Sequence, residues 1–356
     1  MRSITRAGRR TIALATGLLL VAISAAPALA CGGLIGPNGA VNLLRTTTFA
    51  GYHDGVEHYV TSFEFAGGGG AFGSLTPLPG IPTSVEKGGD WTLQRLIRET
   101  NPVPEGALFG FDTAVRASAS AEVLMEVTID ALDITVLRGG AQEVGTWATD
   151  QGFRLPPDAP EVLDFYAQRS QIFLAAAFDS EAAAERGQNV GDGTSVHITI
   201  PTDNPWVPLR ILALGKSEAE TVQADVYLMT DRAPALLPAP DGFNGMTLEH
   251  SRPANDLLLS DLRSDRGMEW IPDSAWLSKI AIDADAPQLS FDLAIDASGA
   301  GAPSRIAAGL DMPGASDPTV MAALRWFAAV AFVTVSIGSI FVLIARHQID
   351  SGLRAA

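Results

Sequence analysis

Apolar residues fall along this chain in three different rhythms. The first is a continuous run, Ile12 to Ala26, that follows Arg2, Arg6, Arg9 and Arg10 and leads into Ala28-Leu29-Ala30. A basic start, an apolar stretch of roughly 7–15 residues and a small-residue cleavage site make an export signal. Residues 1–30 are therefore expected to be removed, leaving Cys31 as the first mature residue. Arg9-Arg10 is a pair of the twin-arginine kind, although Ala13 stands where that pattern has a bulkier side chain. The last rhythm is again continuous: Trp326 to Ala345 carries no charge. A bilayer core takes roughly 20 apolar residues in helix, and Thr334, Ser336 and Ser339 can bond their own backbone there. Residues 319–345 are expected to cross a membrane once and 346–356 to form a cytoplasmic tail. Arg346, His347 and Arg354 after the run, against Arg325 before it, give a slight charge bias in that direction.

Between these ends the pattern is short-range. Period-two alternation predicts strands over Val41–Tyr52, Val56–Phe65 and Phe72–Pro77, with Gly55 as a turn. Gly67 to Gly70 reads as the loop of a hairpin between the second and third. Further strands are expected at 123–129, 132–136, 172–178, 196–201, 222–230 and 289–295, with another at Leu209–Leu214. A helical face of Trp91, Leu93, Leu96 and Ile97 begins at Asp90, the expected N-cap, and ends at Pro102. Gln142–Gln151 predicts a helix stopped by Gly152, and Pro157–Ser170 one with Pro160 in its first turn. Shorter helices are expected at 181–187 and 257–263. Strands and helices without a strict βαβ alternation predict an α+β domain over residues 31–296, with a mixed or antiparallel sheet and a few short helices. The length also permits two subdomains. Residues 297–318, rich in glycine, alanine, serine and proline, read as a flexible linker.

Charge narrows the partners. Outside residues 1–30 and 319–356 the chain holds 17 basic and 39 acidic side chains, a net charge of −22. Such a surface repels phosphate backbones, so no nucleic acid is expected. Cys31 is the single cysteine, so an internal disulfide is excluded and the domain must be held by its core.

The candidate chemistry is sparse. A mature N-terminal Cys31 would place a thiol beside a free amine, the arrangement of N-terminal nucleophile hydrolases; the same residue also fits a lipidation site or an inert end. His53 and His58 are candidate metal ligands, with Asp54 and Glu57 between them. They fall on opposite faces of one continuous strand, and only a turn at Gly55 brings them together. His197 and His250 lie far away in sequence, and a tight site needs three or four converging ligands, so the sequence assigns no metal and no cofactor. Ser84-x-x-Lys87 has serine–lysine spacing but lacks the companion motifs. Gly67–Gly70 lacks the lysine of a phosphate loop. Asp283-x-Asp285 lacks the remaining calcium-loop ligands. Trp91 and Trp147 are expected in the core, and Trp206, between two prolines, at the surface.

Cys31-Gly32-Gly33-Leu34, FGSLTPLPG from Phe72, WATDQGFRLP from Trp147, EVLDFYAQRSQIFLAAAF from Glu161 and PWVPLRILAL from Pro205 occur in that order. This ordered set, spread over most of residues 31–232, resembles the DUF2330 family of uncharacterised bacterial exported proteins. The resemblance implies an exported, often membrane-tethered protein and supplies no catalytic residue. The expected role is a membrane-anchored extracytoplasmic module that binds or supports an envelope protein partner. The alternative is an envelope hydrolase using Cys31 or a carboxylate pair. Its oligomeric state is left open.

Overall fold

A computed structural model describes residues 33–36, 39–40, 46–64, 72–101, 122–186, 193–243 and 245–312. In chain order the strands are β1 (Gly33–Gly36), β2 (Gly39–Ala40), β3 (Thr46–His53), β4 (Val56–Glu64), β5 (Phe72–Pro77), β6 (Ser84–Lys87), β7 (Glu122–Ile129), β8 (Leu132–Arg138), β9 (Ile172–Phe178), β10 (Gly193–Pro201), β11 (Trp206–Val207), β12 (Thr221–Thr230), β13 (Ala235–Leu237), β14 (Met246–Pro253), β15 (Trp276–Asp285) and β16 (Leu293–Asp296). The helices are α1 (Thr92–Thr100), α2 (Ala141–Asp150), α3 (Ala159–Ala167), α4 (Ser180–Glu185) and α5 (Asp256–Arg263). The expected α+β class holds.

A seven-stranded sheet runs β14-β15-β12-β3-β4-β10-β6, and a six-stranded sheet runs β2-β1-β5-β9-β8-β7. The small sheet β11-β16-β13 completes the set. Among the described strands every pairing is antiparallel except β3 with β12. Period two gives the large sheet two unlike faces. On one, Tyr59, Val196, Ile198, Val226, Leu228 and Ile280 enter the larger core, which also takes in Leu75, Leu132, Phe173 and Leu174 of the six-stranded sheet. Val144 and Trp147 of α2 and Leu163 and Tyr166 of α3 join it. On the other face, Phe49, Val60, Tyr227, Met229 and Leu277 meet Leu93 and Leu96 of α1 and Leu258, Leu259 and Leu262 of α5. Fully burying one such side chain is worth about 1.5–3 kcal/mol, which explains how a domain without a disulfide holds together.

Several expectations need correction. The β4–β5 hairpin does not form: β4 pairs with β3 and β10, whereas β5 lies between β1 and β9 in the other sheet. Gly73 fits that place, since a Cβ there would stand 2.8 Å from the Phe153 ring. Residues 67–70 lie outside the described set. Leu209–Leu214 is a 3-10 turn at Arg210–Ala213, because the Leu209 and Arg210 N–H groups donate to the Asp292 carboxylate at 2.7 and 3.1 Å instead of to a ladder. The cap of α1 is remote: Asp265 accepts from the Asp90 and Trp91 amides at 3.0 Å and from the Thr92 hydroxyl at 2.7 Å. β14 and β15 were not expected: β15 carries the buried Lys279 among its apolar positions, and β14 is an edge strand of mostly exposed residues.

Part of the stretch whose composition suggests a flexible linker is folded. Residues 304–311 fold into a hydrogen-bonded turn with Ala308 fully buried, and the Ala308 carbonyl accepts from the Asp292 amide at 2.9 Å. Small side chains here permit close backbone packing, where composition alone suggested mobility. Residues 313–318, the expected span 319–345 and the tail 346–356 lie outside the described residues, as do residues 1–30 and Cys31. Among the described residues no helix is long and apolar enough to cross a membrane.

Candidate functional site

The turn between β3 and β4 is made by Asp54 at φ 50° and Gly55 at φ 78°. Gly55 takes that conformation freely, and aspartate tolerates it better than most residues. The resulting register sets His53 opposite Val56 and Gly51 opposite His58. Cross-strand partners share a face, so the hairpin puts His53 and His58 on the same side of the sheet, the side of Phe49 and Val60. β10 adds His197, which faces Val60 from the next strand.

On this face His58 Nδ1 lies 3.0 Å from His197 Nε2. Trp270, from the segment joining α5 to β15, stacks on the His58 ring with centroids 3.9 Å apart and planes 3° from parallel. Gly51 makes the space: a Cβ there would lie 2.0 Å from Trp270 Cη2. Met268 is fully buried and anchors the loop from within, while Arg263 Nη1 holds the Pro272 carbonyl at 2.8 Å.

Both imidazoles are neutral at physiological pH. Burial is the main cause, with the neighbouring rings of His197 and His53 adding to it, and it lowers His58 to about 3. Burial also lowers His197 to about 4, against the opposing pull of Glu269. A neutral imidazole has one N–H and one lone pair. If His58 donates to His197, His58 Nε2 is left an acceptor and His197 Nδ1 a donor; if His197 donates, these roles reverse. Either way the pair presents one donor and one acceptor beside an indole, and a proton can shift between the two outer nitrogens. On the same sheet face a cavity of about 20 Å³ is lined by Ser62, Leu93, Gln94, Lys87 and Ser195, room for about one water.

The other sequence candidates go elsewhere. His53 Nδ1 is 2.7 Å from Asp231, so it shares a face with His58 but has a different partner. Among the described residues no three His, Cys, Asp or Glu side chains form a metal-holding group. Ser84 bonds the Thr199 hydroxyl at 3.1 Å, while Lys87 pairs with the buried Asp130 at 3.0 Å; three residues apart on a strand, the two side chains take opposite faces. Asp283 and Asp285 lie on β15. Asp225 and Glu249 do approach one another, but both serve Lys279 Nζ, at 3.4 and 2.6 Å. Trp147 is buried as expected; Trp91 is partly exposed and Trp206 is buried, which reverses both expectations. Trp206 stacks on Tyr166 at 5.8 Å. His197 and Trp270 were missed as partners of His58, because only the pairing of β4 with β10 brings them together.

Glu57, next to His58, points into the larger core. Burial raises its carboxyl to about 8, partly offset by the nearby Trp206 backbone amide, and no group bonds its oxygens with ordinary geometry.

The family model of DUF2330, described as an uncharacterized protein conserved in bacteria, matches residues 25–235. No curated protein matches the sequence. Among solved structures, a mutated baculovirus P35 after caspase cleavage aligns with TM-score 0.34 and 9% identity, over 59% of this chain and 76% of that one. The caspase-8/P35 complex contains a chain that aligns with TM-score 0.32 and 9% identity, over 71% and 90%. Likeness of that size carries neither fold nor function across.

Proposed function

This chain belongs to the DUF2330 family of proteins conserved in bacteria, and from that premise we propose that it is a membrane-tethered extracytoplasmic binding module whose recognition surface includes His58 and Trp270, with the buried His197 in contact with His58. The leader-like run at 1–30 and the uncharged run at 326–345 support the address. The observation that carries the binding reading is the 3.0 Å imidazole contact beneath the stacked indole. An uncharged donor–acceptor pair next to an aromatic face suits a neutral ligand group that hydrogen-bonds and stacks, such as an amide or a hydroxylated ring. The net negative charge of the chain disfavours anionic ligands.

Two measurements test this reading. In spheroplasts producing the chain with a C-terminal tag, external protease should remove the domain and spare the tag; recovery of the intact chain from cytosol would overturn the address. A photo-crosslinker at the exposed position 269 should then give a discrete adduct that is lost in Trp270→Ala and His58→Ala chains. An adduct indifferent to both substitutions would overturn the site.

A further inference from the structure

Three of the large hydrophobic side chains exposed among the described residues fall within seven positions: Ile306 at 40%, Leu310 at 41% and Met312 at 56%. Scattered exposed apolar residues need no explanation, whereas a cluster does. This cluster sits on a fixed turn. The Ala308 amide donates to the Ser304 carbonyl at 3.0 Å and the Leu310 amide to the Arg305 carbonyl at 2.9 Å. Arg305 clasps Asp311 through two bonds of 2.8 and 3.1 Å. The inner side is pinned, since Arg169 donates to the Ala307 carbonyl. Gly309, at φ +73°, lies so close to Phe165 that a Cβ would meet the ring at 2.2 Å. The outward direction of Ile306 and Leu310 is therefore built into the backbone.

We propose that this turn is a lipid-contacting surface: Ile306, Leu310 and Met312 enter the interfacial layer of the bilayer in which residues 319–345 are anchored. The proposal rests on the anchoring reading above. Chain length bounds it, because the fourteen residue steps from Met312 to Trp326, where the uncharged run begins, span at most about 50 Å when fully extended. The turn is thus tethered within reach of the lipid surface. Charge also supports it. The turn's only two ionised side chains, Arg305 and Asp311, neutralise each other, so this part of an otherwise acidic domain approaches headgroups without net repulsion. Apolar side chains on a surface element that lies in the interface are stabilised by leaving water.

The test uses the full chain in phosphatidylcholine–phosphatidylglycerol vesicles. A Cys31→Ser background carries single cysteines from Ile306→Cys, Leu310→Cys, Met312→Cys, Ile81→Cys or Val335→Cys, each labelled with an environment-sensitive dye. Doxyl lipids are expected to quench the Val335 position through deep nitroxides and the three turn positions through shallow ones, leaving Ile81 bright. Quenching at Val335 with the turn positions as bright as Ile81 would overturn the lipid contact and leave the anchor standing. No quenching at Val335 would overturn the anchor and the lipid contact with it. A blue-shifted turn label that no lipid quencher reaches would show a protein covering the turn, and would also overturn the proposal.

Discussion

Arg169 donates to Asp292 at 2.5 Å, with both side chains almost wholly out of water. Asp292 also accepts from the Tyr166 hydroxyl at 2.9 Å and from the Leu209 and Arg210 amides. Arg169 and Tyr166 lie in the EVLDFYAQRS segment and Leu209 and Arg210 in PWVPLRIL, both inside the family match at 25–235. Asp292 lies beyond it. One carboxylate from outside the matched region thus ties two of its segments together. Losing one member of a buried pair strands the other's charge. Asp292→Ala is expected to cost about 3–5 kcal/mol, and Asp292→Asn, which keeps an acceptor, distinctly less. Urea unfolding checks both; equal losses would show that the acceptor retained by asparagine contributes nothing once the charge is gone.

Gly51→Ala puts a methyl group where Trp270 now lies. Overpacking of this kind costs about 1–3 kcal/mol. The Trp270 stack on His58 should break, changing the near-UV circular dichroism. With Trp270→Ala in the background, Gly51→Ala should cost much less, because the atom it strikes is gone. Additive losses in the double variant would contradict the packing described.

Glu57 makes stability fall as pH rises. Its folded-state value of about 8 lies above the ordinary 4.5, so folding takes up a proton between those two values. The contribution is complete below 4.5 and is lost as pH climbs through 8, by roughly 1.4 kcal/mol per pH unit at most. Glu57→Gln should flatten the alkaline side of the pH–stability curve. A parallel curve for the variant would rule the effect out.

His58 and His197 act with the opposite sign. Their folded values, about 3 and about 4, lie below the ordinary 6.5. Folding therefore releases protons, and the stability present above pH 6.5 is lost as pH falls toward these values. His197→Gln should lose less stability than the parent between pH 6.5 and 4. Chemical denaturation at several pH values measures this directly.

Much of the framework was legible because it depends on local periodicity. Ile172–Phe178 and Phe72–Pro77 were delimited to the residue, and the helices at Ala141, Ala159 and Asp256 were found within a turn. What escaped depends on pairing between distant segments. The hairpin register was readable from Asp54-Gly55, but not the neighbour β10 that supplies His197. Asp265 capping α1 and Asp292 capturing the Leu209 amide are remote carboxylates doing what local side chains were expected to do. Trp206 was placed at the surface from its prolines, whereas it is the stacking partner of Tyr166. His58 and His197 were visible one by one, and their meeting with each other and with Trp270 was not.

The parallel pairing of β3 with β12 governs the order in which the molecule can assemble. Thr46 finds Ala224, and Tyr52 finds Thr230, across most of the domain. Until Thr221–Thr230 emerges from the ribosome or a translocation pore, β3 can pair only with β4 and presents a bare ladder edge on its other side. Such late, non-local closure slows folding and leaves that edge open to foreign strands in the interval. Newly made chain is thus most vulnerable to aggregation before residue 230 appears, and a chaperone that shields the β3 edge would be guarding the seam on which the large sheet closes.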